Sequence, residues 1–149
     1  MNAPLMLGRI LFGGFFLFSG INHFINIQGM GAYANARGVP APQLMVAISG
    51  LMIVLGGVSV VIGYRPRFGL LLIILFLIPV ALIMHNFWAV PDAQQRVMEM
   101  GNFLKNMALT GAAFGLMAVP QPWPNSLGSR GGGGKESHSD WLTGRRLPQ

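Results

Sequence analysis

The sequence predicts an all-α polytopic membrane protein: an antiparallel four-transmembrane-helix bundle followed by a flexible C-terminal tail. Three observations predict it. In 149 residues, 52% are apolar and 9% charged, where a soluble domain carries about 25% charged residues. Four separate stretches approach the roughly 20 apolar residues that a helix rising 1.5 Å per residue needs to cross a bilayer. From Pro120 onward the composition then turns to Pro, Gly and polar residues. The chain contains no cysteine. Disulfides, thiolate metal sites, iron–sulfur clusters and cysteine nucleophiles are thereby excluded.

The first span covers about residues 4–24. Arg9 interrupts its apolar run, and Ile21-Asn22-His23-Phe24 follows in place of a small-residue cleavage site, so it reads as a retained helix rather than a signal peptide. An outer loop, residues 25–42, is rich in Gly, Ala and Asn and reads as irregular. The second span covers about residues 43–63, and the short turn Tyr64-Arg65-Pro66-Arg67 makes it a neighbour of the third, about residues 68–88. The third is the most apolar, with Pro79 removing one backbone hydrogen bond before His85. The outer segment Pro91–Met100 reads as a short interfacial helix with an Asp92/Arg96 pair. The fourth span, about residues 103–119, is shorter and carries Lys105, Asn106 and Thr110. In it Gly111 and Gly115 form a GxxxG that permits close helix approach, as do Gly13-Gly14 and Gly56-Gly57.

Pro120, Pro122 and Pro124 end the helical pattern, and residues 120–149 form a cytoplasmic tail too poor in apolar residues to fold alone. Its Trp123, Trp141 and Leu142 are candidate anchors to other membrane-protein subunits. Lys135, Arg145 and Arg146 would equally favour anionic membrane lipids. Net charge is +6. The basic residues divide seven to three in favour of the side holding both termini, which places those termini in the cytoplasm of a bacterial-type inner membrane.

Polar side chains inside a membrane segment are expensive and need a reason. Ser19, Asn22, His23 and Asn26 share one face at the outer end of the first span. His85 and Trp88 lie three apart at the outer end of the third. Asn102, Lys105 and Asn106 share a face at the mouth of the fourth. Three readings compete for this convergence. It is interfacial anchoring, a hydrogen-bond network joining helix ends, or a ligand site. As a site, His85 or His23 donates to a quinone carbonyl, with Trp88 packing on the ring and Asn106 or Lys105 bonding the imidazole. The same two histidines are alternatively axial ligands of a haem b. The acids Asp92 and Glu99 fall in the outer loop, so neither a nucleophilic triad nor an intramembrane carboxylate relay is indicated.

Arg9-Ile-Leu-Phe-Gly-Gly-Phe-Phe-Leu-Phe-Ser-Gly20 resembles the first helix of the DoxX family. His85-Asn-Phe-Trp88 is similar to its H-x-F-W signature, and Phe103-Leu-Lys-Asn-Met-Ala-Leu to the opening of its fourth helix. The resemblance covers about residues 4–119. Departures are Asn22-His23, where a lysine is usual, and Gly111-Ala112, where the glycine is usually paired. The resemblance implies a quinone-linked membrane oxidoreductase setting, with this chain as anchor or accessory subunit rather than catalyst. A purely structural subunit of another membrane complex is the alternative. A small transporter is weaker, because no span has a carboxylate or an inverted repeat.

Overall fold

The computed structural model describes residues 3–130. Helix α1 (Ala3–Ile25) is followed by α2 (Ile27–Ala36), α3 (Pro42–Ile62), α4 (Pro66–Met84), a single 3-10 turn (Phe87–Ala89), α5 (Ala93–Met117) and the short α6 (Leu127–Arg130). No strand occurs among the described residues. Three helices there are long and apolar enough to cross a membrane: α1, α3 and the segment from Pro66 to Ala89.

The packing follows the glycines. α1 lies on α3 so closely that a Cβ at Gly57 would come within 2.6 Å of the Gly13 carbonyl oxygen, and one at Gly20 within 2.9 Å of the Gly50 oxygen. α3 meets α4 in the same way through Gly56 and Gly69, at 2.8 Å. Without side chains, backbones approach and gain dispersion contacts that lipid cannot supply. The GxxxG at Gly111 and Gly115 does not behave so. Both glycines face open space, and α5 packs on α4 through its other side, with Asn106, Thr110 and Ala113 buried. Phe16, Ile53, Val60, Leu70, Ile73, Leu77 and Ala113 form the shared core.

Pro42 and Pro66 each open a helix at its first turn, where a missing N–H costs nothing. Ser59 donates to the carbonyls of Tyr64 (2.7 Å) and Arg65 (3.1 Å), closing the turn between α3 and α4. Residues 25–42, expected to be irregular, contain α2. Its glycines lower intrinsic propensity, but Gly31 packs on the Gln43 side chain and Ala34 is buried, so tertiary contact overrides the local preference.

Two further boundaries differ from expectation. α4 stops at Met84, and Trp88 belongs to the 3-10 turn that follows. The interfacial segment 91–100 and the fourth span are one helix, α5. Asp92 is its N-cap, accepting from the Gln95 N–H at 2.7 Å. Arg96 therefore does not pair with Asp92. It donates to the carbonyls of Val90 and Pro91 at 2.8 and 3.1 Å.

The segment after α5 also departs from the tail reading. Trp123 is fully buried in the core of this same chain, so its side chain is not free to anchor a partner. Arg9, which interrupts the apolar run of α1, is only 4% exposed and donates to the carbonyls of Pro124 (3.2 Å) and Asn125 (2.6 Å). Ser126 sits against the left-handed Gly63. The start of α1, the end of α3 and residues 123–126 thus meet at one end of the molecule. Trp141 and Leu142 lie outside the described residues.

Candidate functional site

The opposite end holds the site. α1 presents Ser19 and His23, α2 presents Tyr33, α4 ends at His85, and α5 presents Lys105 and Asn106. All of them line one cavity of about 440 Å³ whose remaining wall is apolar apart from Ser49, with Phe15, Phe16, Phe76 and Met52 among its residues. Such a mainly apolar cavity with a few convergent polar groups is the usual form of a small-molecule site. Four of the five expected site residues therefore come together: His23, His85, Lys105 and Asn106. Trp88 does not join them. Because α4 ends before it, its ring turns away, 57% exposed, and packs edge-on against Phe87 and Phe103.

The two histidines are oriented by their second atoms. His23 Nδ1 is 2.7 Å from the Ser19 carbonyl oxygen. A carbonyl only accepts, so this nitrogen carries the proton and Nε2 is left over. The His23 ring also meets Phe76 edge-on. His85 caps α4, and its Nδ1 lies 2.8 Å from Glu99 Oε2. The expected partners of His85, Asn106 and Lys105, are not its partners. Lys105 donates to Asn102 at 3.3 Å. Asn106 is buried on the cavity wall.

Glu99 is the residue that the sequence reading missed. Placed there in the outer loop, it is 6% exposed and gathers charge from two helices. Arg37 donates to Glu99 Oε1 at 2.5 Å and to Asn86 Oδ1 at 2.7 Å. Tyr33 donates to the same carboxylate oxygen at 2.8 Å, with Arg37 stacked 5.3 Å from the Tyr33 ring centroid. Burial pushes the Glu99 carboxyl up. Hydrogen bonds from His85 and Tyr33 and the Arg37 charge outweigh it, and the net shift is downward. Burial and the bond to Glu99 raise the Tyr33 phenol, with Arg37 opposing. The carboxylate is thus held ionised and the phenol neutral. A signal for Glu99 does exist in the sequence, because Asn102 and Asn106 extended back by three residues on the same helix face land on it.

The remaining polar stripe resolves simply. Asn22 and Asn26 bond to each other on an exposed face, away from the cavity lining. No group of three or more potential metal-ligating side chains occurs among the described residues.

Each neutral imidazole presents one unshared Nε2, one cationic amine and one amide stand on α5, and aromatic and aliphatic side chains line the rest of the wall. This arrangement can hold a flat ring with polar oxygens at its edge. A haem held between His23 and His85 would use the same two Nε2 atoms, each with its Nδ1 already fixed by an acceptor.

No curated protein and no solved structure matches the chain. The family comparison does: the DoxX profile matches residues 4–86, from the start of α1 through His85 and Asn86 and more than half of the chain. It takes in the glycine-mediated packing of α1, α3 and α4 and both cavity histidines, and it ends before Glu99. The chain, an all-helical protein with three membrane-length apolar helices, belongs to the DoxX family.

Proposed function

We propose that this chain is an integral membrane accessory subunit of a larger, quinone-linked electron-transfer complex, and that its cavity holds the quinone ring. The more apolar part of α5, residues 103–117, serves as a fourth span completing an antiparallel bundle. Both termini lie in the cytoplasm of a bacterial-type inner membrane, so the cavity belongs to the outer half of the bilayer. Catalysis resides in partner subunits, and Trp141 and Leu142 are candidate docking anchors.

The observation that carries the reading is the cavity itself: His23, His85, Lys105 and Asn106 from three helices at the edge of one apolar space. When bound, a quinone supplies two-electron, two-proton chemistry. The chain's own residues supply the rest. Phe15, Phe16 and Phe76 enclose the ring, and Lys105 and Asn106 donate to oxygen. Glu99 fixes the His85 tautomer, and Arg37 with Tyr33 fixes Glu99.

The test is purification in mild detergent, followed by lipid extraction, mass spectrometry of co-purifying proteins and a visible spectrum. The expected result is bound quinone in the wild type and its loss in His85→Gln, with little change in thermal stability because the amide can still donate to Glu99. A Soret band that disappears in the same variant would replace quinone by haem b. Co-purifying proteins with neither cofactor would leave a purely structural subunit.

A further inference from the structure

From the fixed tautomers of the two cavity histidines we infer that the site selects the reduced, dihydroxyl form of its ring ligand over the oxidised, dicarbonyl form. The inference rests on the reading of the cavity as a quinone-type site and deepens it. His23 must donate through Nδ1, because the Ser19 carbonyl opposite it can only accept. His85 must donate through Nδ1, because Glu99 is an ionised carboxylate. In its neutral form each imidazole has one N–H, and in both rings it is committed to the bond at Nδ1. In that form both Nε2 atoms are acceptors, and both residues line the same cavity.

A hydroquinone brings two O–H donors to such a wall. A quinone brings two carbonyl oxygens, whose lone pairs face those of the ring nitrogens and leave the imidazoles unsatisfied. An unmade hydrogen bond at a buried group is costlier than a made one is favourable. Lys105 and Asn106 do not discriminate, since the oxygens of either form accept from them.

Anaerobic binding titrations on the detergent-solubilised full chain provide the test. The probes are a short-tailed alkyl hydroquinone and its matched quinone, which meets no cysteine thiol in this chain. At pH 8 the hydroquinone should bind about tenfold more tightly. His23→Asn, whose amide both donates and accepts, should reduce the pH 8 ratio severalfold. Equal binding of both probes at pH 8 overturns the selectivity while leaving the cavity a ring site. Binding of neither probe overturns both.

Discussion

Glu99 shows how one residue changes the chemistry of its neighbours. Its carboxyl is lowered in the folded protein, so its contribution to stability is present above its unfolded value, about pH 4.3. That contribution is lost as pH falls through the lower folded value. Tyr33 is raised, so the stabilisation of its neutral phenol holds below about pH 10 and is lost as pH rises through the folded value. Melting in detergent as a function of pH should therefore show both limbs, and Glu99→Gln should flatten the acid one. That variant also leaves Arg37 without its anion, with both side chains at most 14% exposed. A loss of about 3–5 kcal/mol is expected, and an unchanged melting temperature would contradict the ion-pair assignment. His23, His85, Lys105 and Asn106 were legible as candidates because polar residues in apolar helices are conspicuous. Glu99 was not, because Gln94, Gln95 and Arg96 before it set its segment apart from the apolar spans. Its partner Arg37 lies 62 positions away in sequence, a pairing that periodicity cannot reveal.

At the scale of elements, the sequence separates spans from connections well and their ends poorly. The apolar runs of α1, α3 and α4 are unmistakable, whereas α2 and the first turns of α5 are helical for reasons outside hydropathy: burial against α3 in one, the Asp92 cap in the other. Glycine motifs illustrate the same limit. Gly13, Gly56 and Gly57 sit at real backbone contacts, and the more regular Gly111/Gly115 pair faces open space. Gly57→Ala should consequently destabilise the protein by about 1–3 kcal/mol through forced separation of α1 and α3. Gly111→Ala should be neutral or stabilising by up to about 1 kcal/mol from helix propensity. Equal effects would mean that α1 and α3 do not approach as described. Trp123 extends the argument beyond α5. It fills the core at the Arg9 end, so Trp123→Ala should cost about 3–5 kcal/mol. A variant that melts like the wild type would return residues 120–130 to the status of a tail.

At the scale of the whole molecule, the two ends have different tasks. One is sealed by Arg9, Gly63, Trp123 and Ser126, and the other holds the cavity and its charged network. The proposed orientation puts the sealed end in the cytoplasm. The chain has no cysteine, so single substitutions report cleanly. A cysteine at Ala41 should react with an impermeant reagent in intact cells, and one at the exposed Tyr64 should not. The reverse would invert the topology. The central claim is that the cavity lined by residues of α1 to α5 receives a ring ligand, and photo-crosslinking addresses it most directly. An azido-alkyl quinone irradiated with the purified chain should label peptides spanning residues 15–23, 75–85 and 105–106, and excess hydroquinone should suppress that labelling. Labelling confined to the Phe87–Trp88 surface, or spread over the lipid-facing residues without competition, would contradict it.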